Sequence, residues 1–113
     1  MVKRSAYAPD RGDLVWLTFD PRAGHEQRGR RPALPLSPRA YNALVGLALF
    51  CPVTGQTKGY AYEVALPPKG KVTGVVLADQ IRSLDWRARD ARFAGKAPDK
   101  SLEEVIAKLR TLI

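Results

Sequence analysis

Residues 12–38 read GDLVWLTFDPRAGHEQRGRRPALPLSP, and the punctuation of this stretch decides the architecture. Gly12-Asp13 marks a turn into LVWLTF, residues 14–19. There Val15, Leu17 and Phe19 alternate with Leu14, Trp16 and Thr18, which sends the two sets to opposite faces of a strand. Asp20-Pro21 ends the strand, and a glycine-bracketed loop over residues 20–30 carries GHEQRGR. RPALPLS then forms a second strand. Pro35 inside it has no N–H to give to a ladder, so an edge or a bulge is expected there.

Working outward, PRAYNAL at residues 38–44 fits a short helical turn with Pro38 near its start. GLALFCPV is a third strand, and QTKGYAYEVAL carries a turn at Lys58-Gly59 before a strand near Tyr62–Leu66. GVVLADQIRSLDW is rich in β-branched and apolar residues and holds two strands broken at Ala78-Asp79-Gln80. Residues 88–97 are ambiguous, with room for one last short strand. The C-terminus changes character. Ser101-Leu102-Glu103-Glu104 reads as a capping box, and Leu102, Val105, Ile106, Leu109, Leu112 and Ile113 recur at helical spacing. Such a helix docks on a sheet or on a partner subunit. Short strands at close intervals followed by one helix predict a β-rich α+β fold, a small, strongly bent antiparallel sheet or barrel. A chain of 113 residues suits one domain, 1–113, around a single core.

The charge narrows the partners. Nineteen Lys and Arg against eleven Asp and Glu give a net +8, which attracts polyanions, nucleic acid first and acidic protein segments second. Cys51 is the single cysteine, so neither an internal disulfide nor a cysteine zinc site can form; within GLALFCPV it reads as a core thiol. MVKRSAYAPD has no apolar stretch behind its Lys and Arg and is not a secretory signal. The longest apolar run, near residues 43–53, is interrupted by Gly46 and Pro52 and is too short to span a bilayer. The expectation is a soluble, cytoplasmic protein without a membrane partner.

His25 is the lone histidine and has no acidic or thiol companion at metal spacing. No glycine-rich phosphate loop opens a helix, and no serine-centred elbow is present. Metal-free chemistry is left. Glu26 and Arg31 stand five positions apart, on either side of Gly29 and just before a strand. A loop anchored by strands can aim both at one substrate. RNA offers a reaction that needs no metal, because its own 2′-hydroxyl attacks the adjacent phosphorus once it is aligned and deprotonated. A carboxylate can take that proton, and a forked guanidinium suits the phosphoryl oxygens. The neighbouring arginines favour ionised Glu26 and so weaken it as a base. A structural salt bridge between the same two residues is an equally good reading of the pair alone.

The whole stretch GDLVWLTFDPRAGHEQRGRRPALPLSP resembles the signature opening of the MazF/PemK toxin family, and CPVTGQTKGYAYEV and VVLADQIRSLDWRAR continue the likeness in order. The resemblance implies an SH3-like (PemK/MazF/CcdB-type) small barrel of bent antiparallel strands with a C-terminal α-helix. It implies a metal-independent endoribonuclease, without cofactor, that cleaves single-stranded RNA at short motifs. The implied partners are a second copy of the chain and a cognate MazE-like antitoxin whose acidic C-terminal segment folds on binding. By position, Glu26 matches the family's acid/base glutamate, Arg31 its catalytic arginine and Thr54 a threonine that positions the scissile phosphate. Gln27 and Gly29 shape the loop, with Gln27 among the RNA-binding residues; Arg28 and Arg30 fall at variable positions suited to RNA or antitoxin. Lys58 and Tyr60 form either a phosphate-holding, base-stacking turn or an ordinary hairpin. Trp16 and Trp86 read as core or dimer-interface residues rather than stacking platforms.

Three positions depart from the family pattern. Gly55 stands where relatives often carry a second hydroxyl, Pro35 where a β-branched residue is common, and Thr18 where some are acidic. Two rival readings accompany the nuclease. One is a non-catalytic nucleic-acid or gyrase-binding module, as in the CcdB proteins, which has no need of Glu26 and Arg31. The other is a degenerate toxin kept as an interaction protein, towards which only Gly55 leans.

Overall fold

Both faces of the first strands are apolar, and the fold covers both. The structure, a computed structural model, describes residues 7–19 and 29–113. The expectations placed on His25, Glu26, Gln27 and Arg28 therefore lie outside the described residues. Strand β1 (Asp13–Thr18) pairs antiparallel with β2 (Arg30–Pro35), and β2 with β3 (Leu47–Thr54). Helix α1 (Arg39–Val45) bridges β2 to β3. On its other edge β3 receives β5 (Val75–Leu77) at Val53–Thr54 and β6 (Arg82–Asp85) at Leu47–Phe50. β5 also pairs with β4 (Glu63–Ala65), while β7 (Arg92–Lys96) closes the far side of β1.

The order is β4-β5-β3-β2-β1-β7, with β6 beside β3. β6 and β7 are consecutive in the chain yet flank opposite sides of the β3-β2-β1 core, so the sheet must curl to join them. The tight turn over 86–91 makes that join, with the Ala91 N–H donating to the Trp86 carbonyl at 3.1 Å. The expected barrel is realised as a strongly bent sheet rather than a closed one.

The curl creates an inner and an outer face, each with its own core. Val15, Leu17, Ala33, Ala48, Phe50, Leu84 and Trp86 fill the inner one. Leu14, Leu34, Cys51 and Val53 lie on the outer face, covered by Val64 and Val76 of the β4-β5 hairpin and by Val105 of helix α2 (Asp99–Arg110). Each such fully buried side chain contributes about 1.5–3 kcal/mol. Burial on both faces is why strands such as LALFCPVT read as continuous apolar runs rather than as half-polar alternation. Cys51 is a core thiol as expected: burial pushes its pKa up to about 12, with Asp79 adding to the shift, so it stays protonated.

The structure corrects three details. Helix α2 begins at Asp99 with Pro98 as its N-cap and no side-chain cap bond, so Ser101 is not the head of a capping box. The Ala97 N–H is tied to the Gly12 carbonyl at 2.8 Å, and extended Pro98 turns the chain into the helix immediately after that anchor. Ser101 is thereby carried inside the first turn and buried. Second, Leu112 and Ile113 lie beyond the helix, exposed at 51% and 90%, while Leu102, Ile106 and Leu109 do pack on the core. Third, Pro35 sits in a central strand, as its last residue; its carbonyl accepts from Gly12, and no bulge forms there. The register shift falls instead between β1 and β7, at Leu14/Val15. Trp86 is core as expected, and Trp16 is 38% exposed on the sheet surface. Among the described residues, no helix is long and apolar enough to cross a membrane.

Candidate active site

The described residues on either side of 20–28, Phe19 and Gly29, are tied to each other. The Phe19 N–H donates to the Gly29 carbonyl at 2.9 Å, extending the β1-β2 ladder by one bond. Arg89 clamps this exit: one guanidinium nitrogen donates to the carbonyls of Thr18 (3.0 Å) and Phe19 (2.9 Å). Its own carbonyl accepts the Thr18 N–H at 3.0 Å. Arg30 locks the return, donating to the Thr18 hydroxyl at 2.8 Å and to the Asp90 carbonyl at 3.0 Å, with its carboxylate 3.5 Å away. Thr18 thus holds an arginine through a hydroxyl.

Adjacent residues on a strand face opposite ways, so Arg30 and Arg31 part company at this rim. Arg30 lies opposite Thr18, while Arg31 lies opposite Leu17 and shares the inner face with Ala33, exposed where that face opens. In the β2-β3 ladder Ala33 is across from Pro52 and Leu34 from Cys51. That pairing ends at Ala33–Pro52, and because the two strands run antiparallel the start of β2 with Arg31 and the end of β3 with Thr54 lie at the same end of the pair. The expected catalytic arginine and phosphate ligand are therefore at the same end of neighbouring strands, and Glu26 lies outside the described residues.

Thr54 is half-buried at the end of β3, and its hydroxyl accepts the Gln56 N–H at 3.1 Å, starting the loop that follows. Behind it Gly74 lets β5 approach closely: a Cβ at Gly74 would overlap the Thr54 carbonyl oxygen and stand 3.2 Å from the Gly55 Cα. Gly55 is the opposite case, since a Cβ there meets nothing within 4 Å and its φ is not left-handed. Gly55→Ser, which adds a hydroxyl beside Thr54, is expected to change stability by less than about 0.5 kcal/mol in a denaturant titration. A larger loss would mean that this backbone needs glycine.

Lys58 and Tyr60 are exposed on the loop between β3 and β4, and Gly59 takes the left-handed conformation that the turn requires, with φ 80°. The Tyr60 hydroxyl donates to Asp79 at 2.8 Å, and this bond holds the phenol above its usual pKa. Tyr60 is therefore neutral, its ring open to solvent.

The sequence reading overlooked Arg89, Gly74 and Glu63. WRAR and YEV lie within the family-like blocks, but nothing local marks Arg89 as a clamp or Glu63 as a turn brace. Among the described residues, no group of three His, Cys, Asp or Glu could hold a metal ion.

Residues 10–113 match the family described as PemK-like, MazF-like toxin of type II toxin–antitoxin system. The chain is 48% identical over 109 residues to the endoribonuclease toxin MazF of Escherichia coli K12, covering 96% of this chain and 97% of that protein. It superposes on crystalline MazF from Deinococcus radiodurans with a TM-score of 0.85 at 59% identity, over 94% of this chain and 96% of that one. A MazE–MazF complex from the same organism gives 0.85 at 54% identity, over 94% and 95% of the two chains. With the family match, the bent sheet and the helix in agreement, the chain belongs to the PemK-like, MazF-like toxins of type II toxin–antitoxin systems.

Proposed function

We propose that this protein is the toxin of a type II toxin–antitoxin pair and a metal-independent endoribonuclease of single-stranded RNA. The observation that supports the reading is that the start of β2, with Arg31, and the end of β3, with Thr54, lie at the same end of an antiparallel pair. Glu26 takes the proton of the 2′-hydroxyl. The freed oxygen forms a bond to the adjacent phosphorus, the bond from phosphorus to the 5′-oxygen breaks, and the departing oxygen takes up a proton. Arg31 holds the phosphoryl oxygens as charge builds on them, and Thr54 orients the phosphate. The products carry a 2′,3′-cyclic phosphate and a 5′-hydroxyl.

Gln27, Arg28, Arg30, Lys58 and Tyr60 line the RNA path in this reading. Arg30, already bonded to Thr18 and Asp90, acts there as a fixed positive wall rather than as a mobile contact. The net charge of +8 suits both RNA and the acidic C-terminal segment of a MazE-like antitoxin, which would compete for overlapping ground. The working unit is a cytoplasmic homodimer of a single domain spanning 1–113, with no cofactor. The test is a single-stranded RNA pool incubated with purified protein in excess EDTA. Cleavage is expected to persist, with cyclic-phosphate ends, and to stop when the nucleotide 5′ of the cut carries deoxyribose. Loss of cleavage on chelation would overturn the metal-free mechanism. Intact RNA, bound with an affinity that falls with salt, would favour the binding module.

A further inference from the structure

The turn that presents Lys58 and Tyr60 is braced from behind. The Glu63 carboxylate accepts two backbone N–H groups, that of Lys58 on Oε2 and that of Gly59 on Oε1, each at 2.9 Å. The Glu63 N–H donates back to the Tyr60 carbonyl at 3.2 Å. From the other side the last turn of α2 grips the same segment. Lys108 Nζ donates to the Ala61 carbonyl at 2.5 Å and the Glu63 carbonyl at 3.2 Å, and the Tyr62 and Thr111 hydroxyls share a bond of 3.1 Å. Asp79 fixes the Tyr60 ring by its hydroxyl. A turn with exposed side chains thus has its backbone held at both ends.

We propose that Glu63 is a positioning residue for RNA recognition. Its two-toothed grip on the Lys58 and Gly59 amides sets the direction of the Lys58 ammonium and the Tyr60 ring, which together hold one phosphate and stack one base. The inference rests on the RNA-cleaving function proposed above and adds the device that orders its recognition turn. Successive backbone N–H groups around a left-handed glycine form a small anion-binding concavity, which here is filled by the chain's own carboxylate. Such filling leaves the side chains, not the amides, to meet RNA.

Charge and position predict opposite signs. Glu63 is a negative group beside Lys58, so on electrostatics alone its removal tightens the binding of a polyanion. If it acts by holding the turn, removal weakens binding despite the gain in net charge. The experiment measures steady-state cleavage of a short single-stranded RNA that carries a mapped cut site, with wild type, Glu63→Ala, Glu63→Gln and Glu103→Ala. Glu103 supplies an exposed carboxylate on α2 as the charge control.

Loss of an ordered stacking contact is expected to raise KM about tenfold in Glu63→Ala. Uniform binding is what is lost, so kcat stays within about twofold. Glu63→Gln keeps one acceptor oxygen and recovers part of the loss. Glu103→Ala is expected to leave KM within about twofold of wild type. Adding Lys58→Ala and Tyr60→Ala to Glu63→Ala brings little further change, because the brace acts through those two side chains. An unchanged or lower KM in Glu63→Ala overturns the proposal while cleavage by wild type stands. So does full additivity with the Lys58 and Tyr60 changes. If Glu63→Ala melts below the assay temperature, Glu63→Gln with the same double-mutant comparison decides. Failure of wild type to cut any RNA sinks the nuclease reading itself, and this inference with it.

Discussion

Glu26→Ala is expected to lower the cleavage rate about 10²–10⁴-fold, the contribution of a positioned general base. Arg31→Ala is expected to lower it about 10²–10³-fold, as when one aimed charge donor is removed from a transition state. In the proposed mechanism the two groups act in the same step, so the double variant should fall well short of the product of the single effects. Arg31→Lys separates charge from geometry, since an ammonium restores the charge but not the fork that meets two phosphoryl oxygens. Single-turnover rates on a mapped RNA, with thermal melts alongside, provide the measurement. If the pair is only a salt bridge, the variants will melt earlier and still cut at the wild-type rate. Full activity in the double variant would overturn the assignment of both residues.

Gly74→Ala is expected to be the most damaging small substitution near the site. At φ 110° an L-residue is strained, and the added carbon would press on the Thr54 carbonyl group and the Gly55 Cα. The left-handed backbone costs about 1–2 kcal/mol, and forcing an atom into packed space about 1–3 more. A loss of about 2–5 kcal/mol is expected by denaturant titration. Relief would come by pushing β5 away from the end of β3, the strand end that carries Thr54. Cleavage should therefore fall even at temperatures where the variant remains folded. Gly55→Ala supplies the contrast, the same added methyl one strand over with open space around it. Equal stability of the two alanine variants would show that the close approach at Thr54 is not needed.

The elements were largely legible in the chain. Alternation in LVWLTF, the apolar run LALFCPV, the break at Ala78-Asp79-Gln80 and the helical spacing after Pro98 all correspond to strands, turns and a helix in place. What misled was local chemistry overruled by tertiary anchors. Ser101-x-x-Glu104 has the grammar of a cap, but the Ala97–Gly12 bond starts the helix earlier. Pro35 looks like an edge residue, but as the last residue of its strand it needs to give only its carbonyl.

By itself the sequence determined that Glu26, Arg28, Arg30 and Arg31 crowd into the approach to the second strand of a basic chain, and which family those residues belong to. Only the tertiary structure showed what holds Arg30 in place. Alternation says that neighbours face apart, but which side is occupied depends on strands far along the chain. Asp90 and Thr18 take Arg30, while the antiparallel β2-β3 pair puts the strand end with Thr54 at the same end as Arg31. Arg89, seventy positions from Phe19, closes the loop's exit through carbonyls that carry no side-chain identity at all. Contacts of that kind leave no period or motif in the sequence, because they are set by where the sheet curls rather than by which residues are neighbours.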